Sequence, residues 1–338
     1  MRLLVTGGAG FIGSALIRYL ILNTDHQILN LDKLTYASNL TSLSCIEQHE
    51  NYQFIQLDIV DFNQLKEIIF QYQPDKIIHL AAESHVDNSI QSAFTFIQTN
   101  IIGTFNLLEV SRHYWQSLNE ERKEDFRFIY VSTDEVYGDL GYSNYLFTEK
   151  SNYQPSSPYS ATKAAGDHLV QAWHRTYQLP TIITHCTNNY GYFQHSEKLI
   201  PLMILNAIQG KKLPIYGDGK QIRDWIFVDD HIKALYQILL RGKIGEVYNI
   251  SANEQYSNID VVKMICAFLE KHLPEKPNDI QHYEDLICFV PDRAGHDIAY
   301  GLDSQKIRQE LAWQPEVQFE IGLEKTVLWY LNQMKIGG

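Results

Sequence analysis

Short apolar runs alternate with longer helical stretches through the first half of this 338-residue chain, and this alternation constrains the fold most. The apolar runs have the length of buried strands and lie at residues 3–6, 27–31, 54–57, 76–80 and 127–132. Between them, the spacing of apolar residues predicts helices at 11–22, 61–72 and 94–118. Strand–helix alternation of this kind predicts an α/β fold with a parallel sheet covered by helices on both faces.

The second half of the chain has a looser pattern. A helix predicted at 158–177 and a strand at 181–186 continue the alternation, which ends near residue 190. Beyond it, helices at 197–209, 229–240, 258–272 and 321–334 mix with short strands at 213–216, 222–228 and 246–250. We therefore predict two domains, residues 1–190 and a smaller mixed α/β lobe at 191–338, with some segments crossing back between them.

Composition excludes several classes of partner. Lys and Arg number 28 against 40 Asp and Glu, a net charge of −12, which argues against nucleic acid or an anionic membrane as the main partner. No apolar run approaches the ~18 residues of a membrane span, and the N-terminus lacks the apolar core of a secretory signal. The four cysteines lie far apart, without zinc-site spacing. These features predict a cytoplasmic protein with reduced cysteines and without a bound metal.

A glycine cluster follows the first predicted strand and opens the first predicted helix. Gly8, Gly10 and Gly13 satisfy GxGxxG, and Gly7, Gly10 and Gly13 satisfy GxxGxxG. Glycines allow a tight turn that approaches a pyrophosphate, although a merely flexible turn is the alternative. Asp32 ends the second strand nineteen residues after Gly13, where a carboxylate can bind the adenosine ribose and repel a 2′-phosphate. We therefore expect a dinucleotide site that prefers NAD to NADP.

Tyr159 and Lys163 stand four residues apart in the helix predicted at 158–177, so both side chains project from one helical face. The pKa of a tyrosine lies near ~10, so its phenolate serves as a base at neutral pH only where cations stabilise it. A lysine ammonium and a positively charged nicotinamide ring would supply that stabilisation. A surface pair is the alternative, but the position after five predicted strands favours a catalytic pair.

Two carboxylates, Asp134 and Glu135, follow Thr133 directly at the end of the fifth predicted strand. Ligands of open α/β sheets bind at the carboxyl ends of the strands, so we expect this segment to face the cofactor. Adjacent carboxyls that differ in protonation suit a reaction that needs a base and an acid together. A solvated loop is the alternative interpretation.

With its glycine cluster and Tyr–Lys pair, the chain resembles the extended short-chain dehydrogenase/reductase superfamily, whose members mostly act on nucleotide sugars. The acid pair and further segments resemble the dTDP-glucose 4,6-dehydratases of that superfamily; these segments lie at 82–87, 188–191, 197–201, 216–219, 223–225, 229–231 and 292–297. The resemblance implies a Rossmann-type doubly wound parallel sheet. It also implies that residues 1–190 hold NAD and that residues 191–338 form most of the substrate-binding lobe.

The resemblance implies a reaction in three stages. NAD-dependent oxidation of dTDP-glucose at carbon 4 precedes loss of water across carbons 5 and 6, and the hydride then returns to carbon 6. Tyr159 would take the hydroxyl proton, Thr133 would hold the same oxygen and Lys163 would stabilise the phenolate. Glu135 would be the base and Asp134 the acid, kept protonated by burial and a neighbouring negative charge. The 4-keto-6-deoxy product would supply deoxysugars such as rhamnose.

The resemblance also assigns binding residues. Cofactor contacts fall at Gly7, Gly10, Phe11, Ile12, Gly13, Asp32, Lys33, Leu34, Thr35, Asp58, Ile59, Leu80, Ala81, Ala82, Ser84, Thr99, Tyr159, Lys163 and Asn189. Substrate contacts fall at Ser84, Thr133, Asn188, Lys198, Leu199, Pro214, Ile215, Tyr216, Arg223, Asn258, Arg293 and His296. The arginine forks suit diphosphate oxygens, and the ring of Tyr216 suits the pyrimidine.

Several positions depart from the family's pattern. Asn88 replaces a usual arginine, residues 192–196 replace a stretch that usually contains proline, Ala294 replaces a proline, and residues 298–299 replace a more basic pair. These departures put in question how strictly the pyrimidine of the nucleotide is recognised, but they do not alter the acid pair or the Tyr–Lys pair. An epimerase or decarboxylase of the same fold is the alternative function, and a catalytically silent NAD-binding protein is another.

The resemblance further implies a homodimer through the helices at 94–118 and 158–177. Apolar residues at 94, 97, 101, 105 and 108 recur with helical spacing along the first of these helices. A subunit contact and packing within the core explain this stripe equally well.

Overall fold

Parallel β-strands form the centre of the computed structural model, which describes residues 1–143, 145–293 and 295–336. The strands are β1 (Arg2–Thr6), β2 (Gln27–Asp32), β3 (Tyr52–Gln56), β4 (Lys76–His79), β5 (Arg127–Thr133), β6 (Thr181–Cys186), β7 (Asn188–Tyr190), β8 (Leu213–Tyr216), β9 (Ile222–Phe227), β10 (Val247–Ile250), β11 (Gln255–Ser257) and β12 (Ile287–Val290). Seven of them make one sheet in the order β10-β6-β5-β4-β1-β2-β3, with every neighbouring pair parallel. The predicted parallel sheet is therefore confirmed.

Helices cover both faces of this sheet and build much of the second lobe. They are α1 (Phe11–Asn23), α2 (Phe62–Tyr72), α3 (Val86–Gln91), α4 (Ala93–Phe96), α5 (Thr104–Gln116), α6 (Glu120–Asp125), α7 (Pro158–Tyr177), α8 (Leu199–Ile208), α9 (Val228–Arg241), α10 (Asn258–His272), α11 (Gln305–Leu311) and α12 (Phe319–Ile336). Within the described ranges, no helix is long and apolar enough to cross a membrane.

Burial on both faces explains why apolar residues predominate in the central strands, on both sides of the sheet. In β1, Leu3 and Val5 pack into the core that α1 and α9 cover, whereas Leu4 packs into the core on the opposite face. Because all strands run the same way, the carboxyl ends of β1, β2, β4, β5 and β6 lie along one edge of the sheet. This edge carries the glycine cluster, Asp32 and the acid pair.

A third core belongs to the second lobe. Two small sheets, β11-β9-β7 and β12-β8, pack with α8, α10 and α12 around buried side chains such as Phe227, Ile265 and Leu323. Strand β10, although late in the chain, pairs with β6 and completes the large sheet. We therefore propose a division of the chain at residue 190, with one later segment, Val247–Ile250, belonging to the first lobe.

The single helix predicted at 94–118 is wrong, because a π-helical segment, Ile97–Gly103, separates α4 from α5. A wide turn of this kind changes which side chains face inward. Here the consecutive residues Thr99 and Asn100 are both buried. Asn100 Nδ2 donates to Thr162 Oγ1 at 2.9 Å, and Lys33 Nζ donates to Thr99 Oγ1 at 2.9 Å. The irregular turn thus connects this segment both to α7 and to the cofactor side of the sheet.

Candidate active site

The glycine cluster makes a tight turn between β1 and α1. Gly7 has a φ of +75°, and a Cβ at this position would lie 2.6 Å from the backbone nitrogen of Ala81. A Cβ on Gly13 would lie 2.2 Å from the carbonyl oxygen of Gly7. Both sites therefore require glycine, because any side chain would push the turn away from β4 or α1. The turn leaves free N–H groups at the start of α1, the arrangement that holds a pyrophosphate.

Asp32 is fixed beside this turn at the end of β2. Its Oδ2 accepts a hydrogen bond from the backbone N–H of Ala9 at 2.9 Å. Its Oδ1 accepts from the N–H of Leu34 at 2.8 Å and from Ser38 Oγ at 3.0 Å. The carboxylate is thus held in one orientation at the strand end where acidic residues bind the adenosine ribose of NAD.

A cleft of about 300 Å³ runs from the glycine turn to the acid pair. All five residues predicted to be catalytic line it, as do Ser84, Asn188 and Lys198 from the predicted substrate residues. The predicted cofactor residues that line it are Gly7, Gly10, Phe11, Ile12, Gly13, Asp32, Lys33, Thr35, Ile59, Leu80, Ala81, Ala82, Ser84, Thr99, Tyr159, Lys163 and Asn189. The sheet edge therefore brings together residues from most of the first 200 positions.

Leu34 and Asp58 lie just outside this lining. Leu34 occupies a left-handed turn with φ of +61° directly after Asp32. Asp58 Oδ1 accepts a hydrogen bond from the N–H of Val60 at 3.0 Å and so shapes the turn after β3, from which Ile59 enters the cleft. Both residues border the assigned cofactor site without lining the cleft itself.

Helix α7 presents the Tyr–Lys pair. Its start is fixed by a capping box, because Ser157 and Ser160 each accept a hydrogen bond from the other's backbone N–H. Lys163 Nζ donates to the carbonyl oxygen of Val131 at 2.9 Å and lies 4.1 Å from the ring centroid of Tyr130. Burial lowers the pKa of Lys163 to about 8. The lysine is therefore held against β5 with its charge directed at the cleft.

Burial affects Tyr159 in the opposite sense. It raises the pKa of the Tyr159 phenol well above the ordinary value, and the nearby negative charge of Glu135 adds to the effect. Thr133 acts against this rise through a side-chain hydrogen bond to the phenol. A Tyr159 phenolate at neutral pH consequently needs cations in the cleft, as predicted from the sequence.

The acid pair sits in a short 3₁₀ turn, Asp134–Tyr137, that continues directly from β5. Thr133 caps this turn, since its Oγ1 accepts a hydrogen bond from the N–H of Glu135 at 3.3 Å. The Thr133 hydroxyl also donates to Asp134 Oδ1 at 3.2 Å. The capping geometry therefore aligns the three residues at the sheet edge.

The two carboxyls have different surroundings. Asp134 is 3% exposed, and its Oδ2 has no hydrogen-bond partner within the described residues. Burial raises the pKa of Asp134 well above its usual range, and the charges of Glu135 and Asp224 raise it further. Burial also raises the pKa of Glu135, but here Lys198, Arg223 and Arg293 oppose the rise. Asp134 is thus suited to hold a proton and Glu135 to lose one.

The predicted substrate cations approach the acid pair from the second lobe. Arg223 is buried, donates to the carbonyl oxygen of Asp297 at 3.0 Å and lies 4.4 Å from the ring centroid of Tyr300. Arg293 lies 3.4 Å from Asp87 and 6.0 Å from the ring centroid of Tyr216.

The other predicted substrate residues extend this surface. The ring of His296 lies 6.2 Å from the ring of Tyr216, and its Nδ1 lies 2.6 Å from Asp292 Oδ1. Pro214 and Ile215 precede Tyr216 in β8, and the side chain of Ile215 packs into the core of the second lobe. Leu199 and Asn258 begin α8 and α10. The arginines, Tyr216 and His296 therefore form one basic and aromatic region beyond the cleft.

Part of the cleft lining was not predicted: Leu31, Ala37, Ser38, Leu57, Val131, Ser132, Cys186, Thr187, Gln194, His195 and Glu197. Strand position alone could have indicated six of these residues, because they lie at or just beyond the carboxyl ends of strands of the large sheet: Leu31, Leu57, Val131, Ser132, Cys186 and Thr187. Gln194 and His195 lie in an irregular loop, where no periodic pattern marks them.

Two of the departures from the family pattern meet at the mouth of the cleft. Asn88 Nδ2 donates to the Tyr36 hydroxyl at 2.9 Å, and the ring of Tyr36 lies 5.6 Å from the ring of His195. Residues 298 and 299 both donate their backbone N–H groups to Asp139 Oδ1 at 3.0 Å. Ala294 lies outside the described residues.

A parallel sheet with a glycine turn, a helical Tyr–Lys pair and acids at the same edge defines a dinucleotide-dependent enzyme of the short-chain dehydrogenase/reductase class. Comparison with known proteins narrows this class. The family model for GDP-mannose 4,6 dehydratase matches residues 4–326. A dTDP-glucose 4,6-dehydratase of Haemophilus influenzae is 60% identical over 98% of each chain.

Solved structures agree with this comparison. The dTDP-glucose 4,6-dehydratase of Bacillus anthracis in complex with NAD is 41% identical, with a TM-score of 0.87 over 99% of this chain and 98% of that one. DesIV, the dTDP-glucose 4,6-dehydratase of Streptomyces venezuelae with NAD bound, is 39% identical, with a TM-score of 0.90 over the same shares. The chain belongs to the dTDP-glucose 4,6-dehydratases, within the GDP-mannose 4,6 dehydratase family.

Proposed function

We propose that this chain is an NAD-dependent hydro-lyase that converts dTDP-glucose to dTDP-4-keto-6-deoxy-glucose. The observation that supports this most is the placement of Asp134 beside Glu135. A buried carboxyl, one oxygen of which has no partner among the described residues, stands next to a carboxyl that faces three cations, in the same cleft as Tyr159. An epimerase that only oxidises and reduces carbon 4 needs no such acid pair.

The cleft fits NAD. The glycine turn accepts a pyrophosphate only because no Cβ fills it, and Asp32 lies fixed at the ribose position. Phe11, Ile12 and the backbone of Ala81 and Ala82 would enclose the adenosine half. When bound, NAD accepts a hydride from sugar carbon 4 and later returns it to carbon 6.

Three residues serve the oxidation of carbon 4. Tyr159 takes the proton of the carbon 4 hydroxyl, and Thr133 Oγ1 holds the same oxygen. Lys163 supplies the positive charge that a buried phenolate needs, because burial otherwise keeps the phenol protonated. The ketone formed at carbon 4 makes the proton on carbon 5 acidic.

The acid pair then serves the elimination. Glu135 removes the proton on carbon 5, and Asp134 donates its proton to the departing hydroxyl of carbon 6. Glu135 must be ionised before it removes this proton, and the charges of Lys198, Arg223 and Arg293 favour its ionised form. After hydride return, the proton held by Glu135 passes to carbon 5. The proton that Tyr159 took from the carbon 4 hydroxyl restores Asp134, so all three groups regain their starting states.

The basic and aromatic region of the second lobe suits the nucleoside diphosphate. Arg223 and Arg293 offer forked donors to the diphosphate oxygens, and Lys198 Nζ, 3.1 Å from the carbonyl oxygen of Ser84, adds a further charge between the lobes. The exposed ring of Tyr216 offers a face for thymine.

Incubation of the NAD-loaded protein with dTDP-glucose tests the proposal. Mass spectrometry should show loss of one water, and alkali should reveal the ultraviolet absorbance of a 4-keto-6-deoxy sugar. A 4-epimer without loss of water would replace the proposal with the epimerase function. UDP-glucose is the matched control, and equal efficiency with it would contradict recognition of thymine.

We also propose a cytoplasmic homodimer. Five large apolar side chains on α3, α4, the π-helical segment and α5 are solvent-exposed: Ile90, Phe94, Ile97, Ile102 and Phe105. Phe105 also contacts Trp173 of α7, with ring centroids 5.7 Å apart. These two helical regions therefore offer one continuous apolar surface, which we call the α5–α7 face, for a second copy.

A further inference from the structure

A buried polar cluster lies behind the Tyr–Lys pair. Asp167 lies on α7, one turn after Lys163 and two turns after Tyr159. Asp167 and its neighbour His185 on β6 are both completely buried. The reaction steps assigned above do not use this carboxylate, although burying a charge is costly unless it has a partner.

Hydrogen bonds hold the Asp167 carboxylate on one side only. Its Oδ2 accepts from Ser132 Oγ at 3.2 Å and lies 3.0 Å from His185 Nε2. Within the described residues, its Oδ1 has no hydrogen-bond partner. On the far side, His185 Nδ1 lies 2.8 Å from the Tyr137 hydroxyl, which donates to Asn249 Oδ1 at 3.0 Å. The cluster therefore fixes where the carboxylate stands.

The groups that face Lys163 identify the function of this charge. They are Asp167 on its own helix, Tyr130 on β5, Cys186 on β6 and His79 on β4. Burial raises the pKa of Cys186 to about 12 and that of Tyr130 well above its ordinary value, and it lowers the pKa of His79 to about 3. Among these neighbours, Asp167 is therefore the one that brings a carboxyl group to the lysine.

We propose that Asp167 is a positioning residue whose carboxylate keeps the buried Lys163 an ammonium, with His185 and Ser132 holding that carboxylate in place. The proposal deepens the role that the proposed function gives to Lys163. Without a nearby negative charge, an amine as buried as this one loses its proton near neutral pH. A neutral lysine would not stabilise a Tyr159 phenolate, so the oxidation of carbon 4 would slow.

Carbon NMR of the lysine Cε groups tests this without any turnover. In the NAD-loaded protein, the Lys163 signal is assigned by its loss in Lys163→Arg and followed as the pH rises. Asp167→Asn keeps the shape and removes the charge, so the midpoint for Lys163 should fall by about one pH unit or more. His185→Gln keeps the carboxylate charge, so its midpoint should stay close to that of the wild type.

Either of two results would overturn the proposal: an unshifted midpoint in Asp167→Asn, or an equal fall in His185→Gln. Should Asp167→Asn fail to fold, infrared spectroscopy of Lys163→Met gives the reciprocal test. Loss of the ammonium would leave the buried Asp167 carboxylate without a nearby cation, so a carboxylic-acid band beyond that of Asp134 should appear. Lys163→Arg keeps the charge and should lack that extra band; its absence in Lys163→Met as well would overturn the proposal.

The pH profile of turnover separates a charge role from a structural one. In Asp167→Asn, the loss of activity should begin at a lower pH than in the wild type, and Asp167→Glu should restore most of the wild-type profile. A purely structural defect would lower turnover by the same factor at every pH. A chain that shows the NMR shift but no loss of water from dTDP-glucose would refute the proposed function and leave this inference standing.

Discussion

The division of labour between Asp134 and Glu135 comes from their surroundings. The two residues are adjacent in sequence and chemically similar. Asp134 is enclosed, and its Oδ2 has no hydrogen-bond partner in the part of the chain that the structure describes, whereas Glu135 faces Lys198 and two arginines. Enclosure favours the neutral acid and the cations favour the ionised base, so one turn of chain provides both catalysts.

Glu135→Gln should separate the two halves of the reaction. The amide cannot remove the carbon 5 proton, so loss of water should fall by about 10²–10⁴-fold. Oxidation of carbon 4 should persist, because Tyr159 and Lys163 are unchanged. Stopped-flow absorbance of reduced nicotinamide, followed beside product formation, measures both steps. The exposed Glu121→Gln is the control, and full turnover in Glu135→Gln would contradict the assigned base.

Asp134→Asn should change how stability depends on pH. Burial raises the pKa of Asp134, so the folded chain keeps a proton that the unfolded chain releases above pH ~4. Wild-type stability is therefore lost progressively as the pH rises from about 4 toward the raised pKa. An asparagine does not titrate. The free energy of unfolding of Asp134→Asn, relative to that of the wild type, should therefore rise by up to about 1.4 kcal/mol for each pH unit.

Urea unfolding at pH 5 and pH 7 measures this difference. The exposed Asp25→Asn serves as the control and should show no comparable trend. A difference between Asp134→Asn and the wild type that stays constant with pH would show that Asp134 is not held protonated.

At the scale of elements, α7 determines the geometry of catalysis. Its capping box fixes the first turn, and Gly166 lets the helix pack closely on β5. A Cβ at Gly166 would lie 2.1 Å from the hydroxyl oxygen of Tyr130, the residue whose ring lies beneath the Lys163 ammonium. The distance between this helix and the sheet therefore also sets the position of the lysine.

Gly166→Ala should destabilise the protein, although alanine is normally the better residue within a helix by about 1 kcal/mol. Overpacking against Tyr130 should cost about 1–3 kcal/mol of unfolding free energy and lower the rate of carbon 4 oxidation. Urea denaturation and initial rates measure the two effects. Ala165→Gly, the neighbouring control, should lose about 1 kcal/mol from helix propensity alone. A Gly166→Ala variant as stable as the wild type would contradict the close packing.

The sequence predicts regular elements best where burial gives a clear pattern. The predicted strands in the first half lie within two residues of the observed ones, and α7 and α10 have the predicted bounds, because apolar runs and caps mark them. The π-helical segment was not predicted, since its cause is the packing of Thr99 and Asn100 against distant residues. Strands β7 and β11 have three residues each, too few for a periodic pattern, whereas β12 was not predicted although its four residues are apolar.

The same contrast applies to the site. Residues at strand ends were predicted because a parallel sheet must bring those ends together. The lining by Gln194 and His195 depends on how the loop after β7 folds back across the cleft, which local sequence does not encode. Asp134 Oδ2 lacks a hydrogen-bond partner among the described residues, and this isolation likewise depends on the complete fold.

At the scale of the molecule, the α5–α7 face remains exposed in a single chain. Phe94 is 67% exposed there, an unusual position for a phenylalanine. Solvent-exposed apolar side chains that continue from one helix to the next favour a helical contact between two identical subunits.

Phe94→Glu should therefore shift the protein from dimer to monomer. A buried unpaired charge in each copy would oppose association, and the α5–α7 face would become more polar. Sedimentation velocity at several concentrations measures the outcome. Leu22→Glu changes an equally exposed apolar residue on α1 and should leave the dimer intact. A wild-type chain that sediments as a monomer at all concentrations would contradict the proposed dimer.

Strand β10 has a further consequence for how the chain can be made and degraded. Its pairing with β6 means that the large sheet gains its last strand only after residue 250 has been synthesised. A product interrupted earlier would leave β6, whose six residues are all buried in the full-length chain, as an uncovered edge strand, which readily pairs with other polypeptides and aggregates. Premature termination should thus yield insoluble fragments that proteases remove, and no stable half-protein that withdraws dinucleotide from the cell.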